Sequence, residues 1–307
     1  MSDDPRARFA PRPGSLAVLV ATAGRAALAR RTLERLATGQ DAPPEEVLVC
    51  PAPEDALDLG SVPAGSVPMR RVDAPRGSCP QRNALIRASV CELGLFLDDD
   101  FLAARDYARR ARELFATHPD IVCATGHVIA DGVGVGGFDL EHGERLLAAD
   151  PGVGAGGPRT TETYAGYGCN MVVRLDLLRS TGIRFDETLP AYAWQEDVDL
   201  SRQLARHGRV VHHDGLRGVH LGTTSGGRTP GRRLGYSQIA NPAYLVAKGT
   251  LARPRALRLV AGNVAANIVR APLPEPWIDR RGRLVGNLVA GLDLVRGRLH
   301  PGRAMRL

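Results

Sequence analysis

A short apolar run meets three aspartates in Leu93-Gly94-Leu95-Phe96-Leu97-Asp98-Asp99-Asp100. Continuously apolar runs of this length mark strands buried on both faces of a parallel sheet. The carboxyl end of such a strand is where open α/β sheets place their ligands. Strand alternation sends Asp98 and Asp100 to one side and Asp99 to the other. Two carboxylates side by side repel unless a cation lies between them, and hard oxygen ligands suit Mg²⁺ or Mn²⁺. Such an ion would neutralise charge on a diphosphate. An acidic turn capping the next helix is the plainer reading of the same residues.

The surrounding pattern repeats the strand–helix alternation of an α/β domain. Residues 16–21 form an apolar run that breaks at Thr22-Ala23-Gly24-Arg25, and Leu28, Leu33 and Leu36 then fall on one helical face closed by Gly39. Residues 47–50 read as a second strand, 80–88 as a helix, 107–115 as a helix and 121–124 as a strand. The glycine-rich residues 131–158 read as a mobile loop or insertion. A helix over 197–207 has Gly208 as its C-terminal cap, and 209–213 form the last strand. Residues 1–14 are polar, rich in Pro and Arg, and expected to be disordered. From Gly226 the chain is Arg-rich, with apolar-patterned helices near 254–270 and 283–296. The expected architecture is α/β: one domain over 15–222 with a mostly parallel sheet flanked by helices, then an Arg-rich helical extension over 223–307.

Five cysteines, an odd number with no C-x-x-C pair, argue against a disulfide framework or zinc site and for a reducing compartment. No basic-then-apolar leader opens the sequence, and no run reaches the ~18 uncharged apolar residues of a membrane span. The chain carries +7 overall, yet residues 248–307 hold twelve basic and three acidic residues, a surplus of nine. The basicity therefore belongs to the tail and suits a phosphate-bearing surface. No aromatic residues interleave its arginines as stacking platforms would, so nucleic acid is not an expected partner. Two apolar-faced helices flanked by arginines suit an anionic cytoplasmic leaflet. Packing of those helices on the domain is the alternative.

Other residues offer chemistry. Glu196-Asp197 opens a helix, where acids satisfy free amides and the dipole. A carboxylate there could also take the proton of an acceptor hydroxyl. Trp194, two residues earlier, could stack on a sugar face or fill the core. His220 follows the last strand and is either structural or a further ligand beside Asp100. Gly132-Val-Gly-Val-Gly-Gly137 spells G-x-G-x-x-G, but lies mid-chain and not between the first strand and helix, against a dinucleotide site.

Seven motifs in order resemble family 2 glycosyltransferases of the GT-A fold: the strand and polar loop at 16–25, Gly77…Arg82-Asn83, Asp98-Asp99-Asp100, Gly168-Cys169-Asn170 with Arg174, Phe185-Asp186-Glu187, Glu196-Asp197, and His220. The resemblance spans residues 15–222. It implies an inverting, Mn²⁺- or Mg²⁺-dependent enzyme that moves a sugar from a nucleotide-diphosphate sugar to a saccharide or lipid-linked hydroxyl, in cell-surface polysaccharide or glycolipid synthesis. By the same resemblance Thr22, Arg25, Arg82, Asn83, Asp98 and Asp99 hold the nucleotide sugar. Asp98, Asp100 and His220 hold the metal, Asp197 with Glu196 serves as base, and Trp194 and Asn170 meet the acceptor. Arg233, with Arg228 and Arg232, resembles a lid over the diphosphate. The second strand ends Cys50-Pro51 without the family's acidic pair, so the nucleobase stays open, Glu54 and Asp55 being the nearest acids. A sugar-phosphate nucleotidyltransferase would need a longer glycine-rich loop than 22–25. A non-catalytic sugar-nucleotide-binding protein would have no need of Asp98, Asp100 and Asp197 together.

Overall fold

The computed structural model describes residues 12–63, 65, 67–223, 230–273 and 275–307. In chain order the elements are β1 (Leu16–Thr22), α1 (Ala26–Gly39), β2 (Glu46–Pro51), β3 (Met69–Arg71), α2 (Ser78–Ala88), β4 (Leu93–Asp98), β5 (Phe101–Ala103), α3 (Tyr107–Thr117) and β6 (Ile121–Asp131). Then follow α4 (Leu140–Ala148), β7 (Thr160–Glu162), β8 (Asn170–Arg174), α5 (Leu175–Thr181), α6 (Glu196–Leu204), β9 (Arg209–His220), α7 (Gly231–Lys248), α8 (Arg253–Arg270) and α9 (Arg280–Val295).

The strands form one sheet in the order β3-β2-β1-β4-β8-β6-β9-β5, with β7 on β9. The half from β3 to β4 is parallel throughout, as the apolar runs require. Beyond β4 the pairing is mixed: β8 is antiparallel to both β4 and β6, while β6 and β9 run parallel. Asp98 therefore ends a strand where the sheet changes sense. Alternation along β1 divides the core. Leu16, Val18 and Val20 join α1 and α3 on one face, and Ala17 and Leu19 join α2, α5 and α6 on the other.

Four expectations need revision. Residues 131–158 are not one loop: a 3-10 turn spans Gly132–Gly134, and α4 begins at Leu140, capped by Asp139, whose side chain accepts from the His142 amide. Leu140 of α4 packs with Leu102, Val219 and Leu221. The last strand runs to His220, with Leu216 and Val219 buried in two different parts of the core past Gly215. Helix α6 ends at Leu204, before the expected cap. Helix α7 has no apolar periodicity to announce it, since it buries Ser237, Gln238, Asn241 and Pro242.

Helix α7 fastens the extension to the domain. Its Leu245, with Leu251 and Ala256 after it, belongs to the same core as the sheet face above α2. Lys248 lies 2.6 Å from Asp186 and 2.7 Å from the fully buried Asp199 of α6, and Thr250 also donates to Asp199. Burial pushes the Asp186 carboxyl up, but hydrogen bonds from Lys248, Thr188 and Tyr244 outweigh it and hold it at about 2, against an ordinary 3.8. Its contribution to stability is thus complete above the ordinary carboxylate range and lost as pH falls toward 2.

Lys248→Met would leave two carboxylates unneutralised and should cost about 2–3 kcal/mol in urea unfolding at neutral pH. The cost should shrink as pH falls from neutral toward 2, with a flatter acid limb in the variant, because Asp186 then titrates near its ordinary value in both the folded and the unfolded chain.

Candidate metal and transfer site

The aspartates sit at a turn, not along a continued strand. β4 ends at Asp98, residues 99–100 turn, and β5 carries Phe101 into pairing with His220 of β9. Asp98 and Asp100 still converge, but the turn accounts for it. Ligand atoms of Asp98, Asp100 and His220 all lie within 4.8 Å of one another. His220 Nε2 is 3.4 Å from Asp100 Oδ1 and 3.9 Å from Asp98 Oδ2.

Asp99 turns the other way and is 1% exposed. Its carboxylate accepts from Thr22 and pairs with Arg25 Nη2 at 2.5 Å. Arg25 also reaches Asp100 Oδ2 at 2.9 Å and Thr223 at 2.8 Å. Instead of facing a ligand, Asp99 anchors the Thr22–Arg25 loop. Burial and the neighbouring Asp100 push its carboxyl up to about 7, against the pull of Arg25. Asp100 is also buried, yet His220, Arg25 and the Thr223 amide hold it well below the usual carboxylate range. Of the two, Asp100 is the group kept ionised for a cation.

His220 is oriented from behind. Its Nδ1 lies 3.1 Å from Asp131 Oδ1, and the Tyr167 hydroxyl donates to Asp131 Oδ2 at 2.9 Å. Burial pulls the imidazole down, but its contacts with Asp100 and Asp131 prevail and raise it to about 10. A carboxylate on Nδ1 leaves Nε2 to face the two ligand aspartates, the arrangement that metal-binding histidines use. Asp100 Oδ1 is buried and has no well-formed hydrogen bond, its nearest polar neighbour being His220 Nε2 at 3.4 Å. An orphaned carboxylate oxygen, a second carboxylate and a pre-oriented imidazole fit a divalent cation. Asp131 and Tyr167 were not among the candidates from sequence. Val128-Ile-Ala-Asp131 repeats the pattern of an apolar run ending in an acid, which is the signal that could have found Asp131.

Arg82 joins this cluster to the base. From α2 it contacts Asp98 at 3.0 Å, Glu196 at 2.5 Å and the Gly168 carbonyl at 3.0 Å, with its guanidinium 5.4 Å from the Phe185 ring centroid. Arg82 is 6% exposed. Burial and Asp197 push Glu196 up to about 8 while Arg82 opposes them. Asp197 Oδ2 accepts from the Gly168 amide at 3.1 Å and Oδ1 from Val198 at 2.8 Å. Burial raises the Asp197 carboxyl against these bonds, which moves a base toward neutral pH.

The loop before α6 is held in an unusual shape. Ala191, Ala193 and Gln195 have φ of 55°, 53° and 78°, a left-handed region that non-glycine residues enter at a cost of order 1 kcal/mol each. The Ser78 amide donates to the Ala191 carbonyl and Asn241 of α7 to the Trp194 carbonyl, so two helices brace it. Trp194 is half-buried within this loop. Asp55 accepts from the Gly24 amide at 2.6 Å, which puts the acid after β2 beside the Thr22–Arg25 loop.

Three candidates are engaged elsewhere. Asn83 is 2% exposed and commits its amide to Phe185 and Glu187. Asn170 is fully buried and accepts from Thr125. Arg233 donates to the Leu307 carbonyl oxygen, away from the diphosphate expected for a lid. Arg232 is exposed, and Arg228 lies outside the described residues.

No family model and no curated protein sequence matches the chain. Solved structures do. Staphylococcus aureus TarS residues 1–349 align over 93% of this chain and 82% of that one at 14% identity, TM-score 0.54. The same segment in complex with UDP-GlcNAc aligns over 92% of each chain at 14% identity, TM-score 0.53. The mannosyltransferase PcManGT from Pyrobaculum calidifontis, in complex with GDP-Man and Mn²⁺, aligns over 97% of this chain and 87% of that one at 17% identity, TM-score 0.53. The chain therefore has the GT-A-type fold expected from its motifs, a mixed sheet flanked by helices with further helices at the carboxyl end.

Asp131→Asn should weaken Mn²⁺ binding about 10- to 100-fold, as losses behind a metal ligand do, and Asp100→Ala should abolish it. Calorimetric titration with Mn²⁺ decides this. Equal affinity in Asp131→Asn and the parent would remove His220 from the ligand set.

Proposed function

We propose that this chain is an inverting, divalent-metal-dependent glycosyltransferase of the family 2 type, using a nucleotide-diphosphate sugar as donor. The observation that carries the reading is the Asp98–Asp100–His220 cluster joined through Arg82 to Glu196 and Asp197. A cation site and a carboxylate of raised pKa share one buried guanidinium, at the carboxyl end of the strand where the sheet changes sense. The fold shared with proteins solved with GDP-Man and Mn²⁺ or with UDP-GlcNAc supports the same reading.

Asp98, Asp100 and His220 would hold Mn²⁺ or Mg²⁺, which supplies charge neutralisation at the donor diphosphate. The imidazole in the set favours Mn²⁺ over Mg²⁺. Asp197 takes the proton from the acceptor hydroxyl as its oxygen bonds to the anomeric carbon. The bond from that carbon to the nucleoside diphosphate breaks on the opposite side, and the configuration inverts. Glu196 holds Arg82, and Arg82 keeps Asp98 pointed at the cluster. Thr22, Arg25 and the adjoining Asp55 line the nucleotide side. Trp194 offers the acceptor a ring face, and the acceptor is a saccharide or lipid-linked hydroxyl.

A thermal-shift panel of UDP, GDP and their sugars with and without Mn²⁺ tests the reading. A nucleotide at 100 times its dissociation constant adds about 2.7 kcal/mol, which raises the midpoint by several degrees. Asp100→Ala should lose the Mn²⁺-dependent part of the shift. Asp197→Asn should keep the shift and lose about 10²- to 10⁴-fold in transfer rate. If no nucleotide diphosphate gives a metal-dependent shift, the transferase reading fails. If Asp197→Asn turns over normally, only the base assignment fails.

A further inference from the structure

We propose that α8 and α9 form a docking surface for an anionic lipid bilayer. The inference does not depend on the chemistry of transfer. It begins with an inversion of the usual helix pattern. Helix α8 buries Ala256 and Asn267, and α9 buries Gly286, Asn287, Ala290 and Asp293. The inner seam is a polar ladder. Asn267 donates to Gln238 of α7 and to Asn287, Gln238 donates to Asn263, and Asn287 donates to the Gly235 carbonyl. Small residues and amide side chains between helices, with aliphatic residues outside, are the packing of helices that meet lipid.

The outer faces are aliphatic. At 100° per residue, Val285, Leu288, Leu292 and Val295 lie opposite the buried residues of α9. Leu288 is 67% exposed and Val295 87%. Leu257, Ile268 and Val269 of α8 are likewise exposed. Both helices turn their asparagines toward the same Gln238, so the aliphatic face of α9 points away from α7, while on α8 Val269 points away and Leu257 and Ile268 flank the buried seam. Neither helix is long and apolar enough to cross a membrane, so the fit is to the surface of a bilayer.

Charge selects lipid over a second copy of this face. Arg258, Arg281, Arg296, Arg298 and Arg306 are exposed and form no ion pair among the described residues. Two of the segment's three acids, Glu275 and Asp293, are already paired with arginines, and Asp279 caps the Gly282 amide. Two such faces would repel, whereas an anionic leaflet attracts each arginine. The surface also lies next to the candidate site. Trp277, in the turn between α8 and α9, is packed so close to Gly136 that an added Cβ there would lie 3.1 Å from the indole. Gly137 in turn backs onto Gly222 and Thr223, and Thr223 donates to Asp100. Docking would therefore bring the Asp98–Asp100–His220 cluster to a hydroxyl carried on lipid.

Flotation of the full chain with extruded vesicles tests this. Vesicles of phosphatidylcholine with about 30% phosphatidylglycerol should carry the protein, and pure phosphatidylcholine should carry about tenfold less or below. Raising salt from about 0.1 to 0.5 M should release it, as screening requires. Leu288→Glu with Val295→Glu should reduce binding at least about tenfold while keeping the Mn²⁺-dependent nucleotide shift, because both residues are exposed and touch no catalytic group. Arg296→Glu with Arg298→Glu should do the same, on the order of fivefold or more per residue. Equal binding to neutral and anionic vesicles overturns the proposal. So does a parent chain that floats with neither. A parent dimer that the Leu288→Glu/Val295→Glu variant converts to monomer, with no lipid binding, assigns the face to a second copy instead. Loss of flotation with an intact nucleotide shift leaves the transferase reading standing, and the converse result leaves the docking surface standing.

Discussion

The buried guanidinium of Arg82 is the contact on which the site depends. It neutralises Asp98 at the end of β4 and Glu196 at the start of α6, and it donates to the Gly168 carbonyl in the segment before β8. Unit charges about 4 Å apart interact by roughly 4 kcal/mol at the effective dielectric near a protein surface. Without a cation between them, Asp98 on β4 and Glu196 and Asp197 on α6 would push those two elements apart. The phenylalanine rings over Arg82 keep water from screening that cation. One residue of α2 thus sets the spacing between the cation cluster and the proposed base.

The wider electrostatics follow from the same crowding. Asp98, Asp99, Asp100, Asp131, Glu196 and Asp197 gather around Arg25, Arg82 and His220. Six carboxyls against three cationic groups leave a negative surplus in a largely dry region. Burial first, and that surplus after it, raises the carboxyls of Asp99 and Glu196, and the surplus raises the His220 imidazole against its burial. A divalent cation relieves that surplus at Asp100, whose buried Oδ1 is one of the carboxylate oxygens without a donor among the described residues.

Much of this was legible in the sequence because burial leaves a local trace. The strands β1, β2 and β4 were visible as continuous apolar runs, and the Asp98–Asp100–His220 set was recoverable from order and spacing. What escaped detection depends on partners distant in sequence. Asn83 and Arg233 carry the right chemistry for ligands, but the structure gives their hydrogen bonds to Phe185, Glu187 and Leu307. Alternation already sets Asp99 apart from Asp98 and Asp100, but only the structure shows that it faces Arg25. Helix α7 was unreadable for the opposite reason, since Ser237, Gln238 and Asn241 share its buried face with Tyr236, Ala240 and Leu245 and break the apolar period. The expectation that α8 and α9 either face lipid or pack on the domain proved too simple: they pack on α7 with their amide faces and leave their aliphatic faces outward.

The ladder between β6 and β9 has a consequence for how this sequence can vary. Asp131 and His220 are register partners at its end, reached only after irregular steps at Gly126/His127 and Val128/Ala130. Those steps set the count of residues that delivers the two side chains together. A single insertion or deletion within 209–220 would turn every later side chain to the opposite face of the sheet and separate the imidazole from its carboxylate. Length is therefore constrained along β9 as tightly as residue identity, and lineages that diverge from this chain should change its side chains far more readily than its residue count.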